Sequence, residues 1–294
     1  RISMKKLGFI VIIILLTTSF IYAEINSNVF SNYQPSARAR GMSGAFVASC
    51  NDPNAIFYNP GALAYAEQGI SLGYAQLFNN SFEILMSGAL AYRLPGIGTI
   101  SLGMQAMDVE FEGQKLQQEG TYSLAHSFLL MGDVHSQLYV GYGLNLFYLK
   151  FGETVGGIDP GNSTTYGVNL GALAVLHQRT HIAFAVKNLN NPSMGSDQTF
   201  DLPQHLALGI AYEPYDGVIT EIDLSQKLGE ETKIQAGIEF EVMDNFWLRT
   251  GASTYPSSIS GGFGILFKGV KIDYGFSSHP VLPITHQFSL GYQF

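Results

Sequence analysis

From Gly69 to the C terminus the chain alternates apolar and polar side chains with a period of two. In residues 138–149 the even positions are Leu138, Val140, Tyr142, Leu144, Leu146 and Tyr148, and the odd positions include Gly141, Gly143 and Asn145. In residues 233–242 Ile234, Ala236, Ile238, Phe240 and Val242 form one face, against Lys233, Gln235, Gly237, Glu239 and Glu241. In residues 271–277 Ile272, Tyr274 and Phe276 alternate with Lys271, Asp273, Gly275 and Ser277. A helix would repeat every 3.6 residues, so these segments are strands with one apolar face and one polar or glycine face. The pattern predicts fourteen strands, at 70–77, 83–93, 97–106, 121–131, 136–149, 165–177, 180–188, 204–213, 217–226, 232–243, 246–255, 258–267, 270–278 and 285–294.

A soluble barrel or sandwich buries the apolar face, whereas an outer-membrane barrel turns it to lipid and keeps the polar face in the lumen. The strands are long enough for a tilted span. Charges such as Asp223, Glu239 and Asp273 fall at strand centres, and Tyr92, Tyr148, Tyr166, Tyr212 and Phe267 lie near strand ends, as an interfacial aromatic girdle requires. An even strand count suits closure. The longer connections, 107–120, 150–164, 189–203 and 227–231, all fall on one side, and the short turns 95–96, 132–135, 178–179, 213–217 and 244–245 on the other. The fold expected is therefore all-β, a 14-stranded antiparallel transmembrane β-barrel. The chain closes on Phe288, Leu290, Tyr292 and Phe294 on one face, which looks like the last-strand signal read by the barrel-assembly machinery.

Composition agrees. Charged residues make up 13% of the chain, about half the roughly 25% of a soluble domain. Lys5 and Lys6 follow Met4, an apolar run covers 7–16, and 17–23 ends Ile21-Tyr22-Ala23. That run is too short for a spanning helix and predicts a signal peptide over 1–23, with the mature chain from Glu24. The expected destination is the outer membrane of a bacterium with two membranes, with the lipid bilayer and lipopolysaccharide as surroundings. Net charge is −8, which argues against a nucleic-acid partner. Cys50 is the sole cysteine and leaves no internal disulfide.

Residues 24–68 do not alternate and are expected to form a compact N-terminal hatch of short helices in the lumen of a 69–294 barrel. Asp52 and Pro53 suit the start of a short turn, and Pro60 its end. Arg38 and Arg40 would be buried there and need partners. Glu221, Asp223, Glu239 and Glu241 lie on the luminal faces of two adjacent strands and are the expected anchors.

The runs 39–48 (Ala-Arg-Gly-Met-Ser-Gly-Ala-Phe-Val-Ala) and 52–63 (Asp-Pro-Asn-Ala-Ile-Phe-Tyr-Asn-Pro-Gly-Ala-Leu) resemble the start of the PorV/PorQ family and the hatch of the wider FadL superfamily. The resemblance implies a fourteen-stranded barrel with a hatch. For FadL members it implies passive passage of hydrophobic compounds, and for PorV members a type IX secretion component that binds exported cargo. It also places Asn59, Pro60 and Gly61 near the ligand path, in a bend that can shift. This chain reads Asn-Pro-Gly-Ala where FadL members usually read Asn-Pro-Ala-Gly.

Competing chemistry is thin. The histidines are scattered, and no Gly-x-Ser-x-Gly elbow joins a strand to a helix. His279 and His286 flank one outer connection near Ser277. His177 and His181 are four apart across a turn, and Glu153 with Asp159 forms a solvated loop pair. No enzyme activity, catalytic residue, metal or cofactor is expected. A polar-solute porin would need an open bore, with Arg249, Lys187, Glu239 and Asp273 as a constriction. The favoured activity is passage or binding of small, fatty-acid-like hydrophobic molecules, with Phe46, Ile56, Phe57 and Tyr58 lining the path.

Overall fold

The computed structural model describes residues 30, 34–153, 157, 160–195 and 199–294. The expected signal peptide, the start at Glu24 and Asp159 lie outside the described residues. The strands are β1 (Gly69–Gln76), β2 (Glu83–Leu94), β3 (Gly98–Phe111), β4 (Gln114–Gly132), β5 (Ser136–Phe151), β6 (Asn162–Leu176), β7 (Thr180–Lys187), β8 (Ser193–Met194), β9 (Phe200–Asp201), β10 (His205–Tyr215), β11 (Val218–Lys227), β12 (Lys233–Met243), β13 (Phe246–Ser253), β14 (Ser258–Phe267), β15 (Val270–Ser277) and β16 (Thr285–Gln293). Fourteen of them form one closed antiparallel barrel, while β8 and β9 pair with each other as a separate two-stranded sheet. Closure runs through β1 and β16, from Gly69↔Gln293 to Gln76↔His286.

The faces divide as a membrane barrel requires. Leu72, Leu102, Leu124, Leu144 and Ile222 are 50–59% exposed, and Glu119, Asp223, Glu239, Arg249 and Gln287 are buried. Greasy side chains outside and buried charges inside is the reverse of a soluble barrel. Phe288, Leu290, Tyr292 and Phe294 all face outward, and the Phe294 ring lies 6.2 Å from that of Tyr92 across the closing seam.

Three sequence expectations change. The segment 107–120 is not a loop: β3 and β4 continue to Phe111↔Gln114. Glu112 and Gly113 make the turn, both with positive φ, the backbone a twisted two-residue hairpin favours. Strands β5 and β6 likewise lengthen at the expense of 150–164. Glu241 is exposed rather than buried against the hatch, because it stands at the end of β12 beside the 244–245 turn, where the strand runs out into solvent. There its carboxylate accepts the Asn245 N–H at the turn, 2.7 Å away.

The seam between β6 and β7 is short, pairing only Leu170–Leu176. Beyond it the outer half of β6 is met by loop residues. Leu189 N–H donates to Val168 O, Asn190 Oδ1 accepts from Val168 N, and Asn190 Nδ2 donates to Tyr166 O, at 2.8–2.9 Å.

The hatch consists of α1 (Ala37–Gly41), α2 (Ala55–Tyr58) and a 3-10 turn, Pro60–Ala64. Ser36 caps α1, with its hydroxyl accepting from Ala39 N. Asp52 does not cap α2 at its N-cap position, which Asn54 occupies; its carboxylate instead accepts the Asn54 N–H. Asn59 turns extended, as the following proline demands.

The luminal glycines explain where this hatch sits. Gly141↔Gly171, Gly237↔Gly251 and Gly262↔Gly275 are direct cross-strand pairs. A Cβ on Gly171 would fall 2.1 Å from Asn59 Oδ1, one on Gly251 2.4 Å from the Met42 carbonyl carbon, and one on Gly275 2.3 Å from Ala37 O. Each pair is a flat patch on which hatch backbone rests.

Leu144 stands mid-strand on the lipid face. Leu144→Arg is expected to lower unfolding free energy in a bilayer by about 2–4 kcal/mol, while Asn145→Ser on the opposite face costs under about 1 kcal/mol. Denaturant titration in liposomes measures both.

Candidate functional site: the hatch and the outer chamber

Two kinds of contact hold the hatch. The first is a chain of alternating charge. Arg38 grips Glu239 with two hydrogen bonds, Nε to Oε2 at 2.8 Å and Nη2 to Oε1 at 2.7 Å. Its Nη1 donates to Asn51 and lies 3.7 Å from Asp52. Glu239 also accepts from Arg249 Nε, and Arg249 Nη1 reaches Asp273 at 2.7 Å. Burial opposes the Arg38 charge, but Glu239 and then Asp52 outweigh it and hold the guanidinium pKa above its ordinary value.

The second contact is backbone to carboxylate. Phe46 and Val47 N–H groups donate to Asp223 Oδ2 at 2.8 and 3.0 Å. Ala48 and Ser49 N–H groups donate to the two oxygens of Glu221 at 2.6 and 3.2 Å, and the Ser49 hydroxyl joins them. Each of these two carboxyl groups bonds two consecutive hatch amides. The expected pairing of both arginines with the acidic wall thus divides. Arg38 meets Glu239, whereas Glu221 and Asp223 serve hatch amides. Arg40 meets neutral acceptors instead: Gln287 Oε1, Ser277 Oγ at 3.0 Å and Gln34 O at 3.5 Å. Burial without a carboxylate lowers the Arg40 pKa to about 10, which leaves it charged at neutral pH.

Asn59, Pro60 and Gly61 dock the hatch to the wall. Fully buried Asn59 donates to Val47 O at 3.1 Å and to Ala172 O on β6 at 3.0 Å. Its Oδ1 accepts the Gly61 N–H at 2.9 Å, capping the 3-10 turn. Gly61 lies against Gly171 so closely that a Cβ would come within 2.5 Å of its carbonyl carbon, and Ser127 Oγ donates to Gly61 O. These three residues do not line the cavity described next; they lie between hatch and wall.

Above the hatch, toward the longer connections, lies a cavity of about 910 Å3. Its floor is Val47, Ile56, Phe57 and Tyr58, with Leu77, Met107, Phe147 and Leu202 on its apolar walls. Phe46 lies beneath, edge-on to Tyr58 at 5.1 Å and under the Arg38 guanidinium at 5.1 Å. So Ile56, Phe57 and Tyr58 face the chamber, and Phe46 packs.

The competing sites come apart. Ser277 points inward to Arg40, while His286 lies on the other face of the wall, its Nδ1 2.8 Å from the Tyr274 hydroxyl. His181 turns in to Ala48 O at 3.2 Å, and His177 sits at an exposed turn 5.6 Å from the His135 ring. Arg249, Glu239 and Asp273 are tied to one another rather than ringing a bore, and Lys187 is elsewhere, 5.8 Å over the Tyr58 ring. The docking role of the glycine pairs was missed from sequence, although glycines at matched positions of neighbouring strands were its signal.

No family model and no curated protein matches the sequence. Solved structures do match in fold. The Ralstonia pickettii toluene transporter TbuX superposes with a TM-score of 0.65 at 12% identity, over 90% of this chain and 100% of that one. The CymD monoaromatic hydrocarbon channel gives 0.63 at 13%, over 88% and 97%. A Pseudomonas aeruginosa FadL homologue gives 0.57 at 13%, over 88% and 98%. The chain therefore shares the closed antiparallel barrel fold of these proteins.

Removing one partner of a buried ion pair strands the other charge and costs about 3–5 kcal/mol. Arg38→Ala is expected to loosen the hatch by that amount and raise leak of small polar solutes from liposomes. Arg40→Gln, which strands no carboxylate, should leave leak near wild type. Gly171→Ala should also raise leak, since its Cβ collides with Asn59.

Proposed function

We propose that this protein is an outer-membrane channel that lets small hydrophobic molecules cross, or binds them, without energy input. It would be exported by its N-terminal segment and inserted by the barrel-assembly machinery. The observation that carries this reading is the chamber: an open-mouthed space of ligand size whose floor is apolar hatch residues inside a barrel. A porin for polar solutes would leave the bore open, and here the hatch occupies its middle. The fold likeness to a toluene transporter, a monoaromatic hydrocarbon channel and a FadL homologue supports the same substrate class. Nothing in the site favours a type IX secretion role over it.

Phe57 and Tyr58 present aromatic surface to the chamber and would contact the passing molecule. The double variant Phe57→Ala/Tyr58→Ala is expected to weaken binding of a fluorescent fatty acid about tenfold, through lost apolar contact area, and to slow its uptake into proteoliposomes. Wild-type uptake by that variant would reduce these residues to packing and remove the reading's main support. Planar-bilayer recording should be nearly silent; a steady large conductance would mark an open porin instead.

A further inference from the structure

The chamber carries three lysines, with a histidine between two of them, that form no ion pair with the hatch. His205 on β10 pairs directly with Lys187 on β7 and with Lys227 on β11. Ser225, two residues from Lys227, pairs with Lys233 on β12. All four side chains line the chamber and are partly buried. They lie within electrostatic range of one another, and Arg40 lies within range of Lys233. Adjacent strands are about 4.8 Å apart, so Lys187 and Lys227 stand roughly 10 Å apart at the backbone, a gap that two lysine stems can close.

Lys227 meets Glu230 at 3.7 Å. Among the described residues, the ion pairs formed include none by Arg40, Lys187 or Lys233. Glu231 lies at the chamber's edge, and Glu83 and Glu119 stand across it on β2 and β4. Glu119 is engaged with Phe30 N–H at 2.9 Å and with Gln117. The chamber is thus bipolar, with a cationic wall on β7, β10, β11 and β12. Like charges set side by side on a sheet are unfavourable, so a multiply charged anion seated there would be stabilised by several lysines at once.

We infer that the β7–β12 wall is a binding site for a dianionic oxygen head group, a phosphate monoester, on an apolar body that rests on Ile56, Phe57 and Tyr58. The inference rests on the chamber being the ligand path and names the head group of its ligand. A monoanion would balance one of these cations; a phosphate engages Lys187, Lys227 and Lys233 together, with His205 and Arg40 alongside. Lysine is well suited to this, as a compact charge on a flexible stem.

The test is calorimetric titration of the purified full chain in neutral detergent with hexyl phosphate, hexanoate, 1-hexanol and inorganic phosphate. Hexyl phosphate is expected to bind on the order of tenfold tighter than each of the others, a difference of about 1.4 kcal/mol, and to weaken as salt rises. The triple variant K187Q/K227Q/K233Q should lose that preference, while K187R/K227R/K233R keeps it; heat-modifiable gel migration confirms that both are folded. Equal binding of hexyl phosphate and hexanoate, or a preference intact in the glutamine variant, overturns the inference. Inorganic phosphate binding as tightly as hexyl phosphate overturns the apolar body. Passage of a neutral hydrocarbon in proteoliposomes, with no head-group preference, sinks the inference alone. Failure of wild-type protein to pass any hydrophobic probe sinks the channel reading beneath it.

Discussion

Backbone amides inside hydrocarbon have no water to bond, and an unpaired one costs several kcal/mol. That constraint shapes the whole molecule. It forces the strands to close through β1 and β16, and closure forces every strand to show one face to lipid and the other to the lumen. It also explains the loop at the β6–β7 seam. β7 stops at Lys187 while β6 runs on outward, and the exposed edge of β6 is met by Leu189 and by the side chain of Asn190. Asparagine carries both an amide donor and a carbonyl acceptor, so it mimics the missing strand's hydrogen bonds in one side chain.

Once the apolar faces point out, the lumen must be filled by something that suits a polar wall. The hatch does this with main chain more than with side chains. Its carbonyls and amides bond luminal Ser87, Ser127, Ser260, Glu221 and Asp223, and its helices sit on paired glycines. The buried ion chain adds little net stability by its nature, because desolvation offsets much of the attraction. Its contribution is position: Glu239 is shared between Arg38 of the hatch and Arg249 of the wall, so the hatch has one register in which no charge is stranded.

The barrel was legible in the sequence because period-two alternation is a local property and survives in every strand. What was not legible depended on neighbours. The continuation of β3 into β4 turns on Glu112 and Gly113 adopting positive φ, and glutamate is no usual turn signal there. Glu241 shares the sequence parity of Glu239, yet it stands at the strand's end beside a turn, where its side chain is exposed. Arg40 reads like Arg38, two residues earlier on the same short helix, but the helix carries the two guanidinium groups to different walls. The Asn-Pro-Gly triplet reads as a bend in the sequence; its contacts with Gly171 and Ala172 of the wall become visible only in the fold.

Charge in this lumen follows two regimes, and the hatch separates them. At and below it, Asp52, Arg38, Glu239, Arg249 and Asp273 alternate in sign, each satisfied by the next. Above it, Lys187 and Lys233 have no carboxylate within ion-pair distance among the described residues. A fold that needed lysines only for solubility would place them in water at the rim. These sit partly buried, on β7 and β12 with Lys227 of β11 between them, over an aromatic floor. Paired charges build the stopper, and unpaired charges above it remain available to whatever enters from outside.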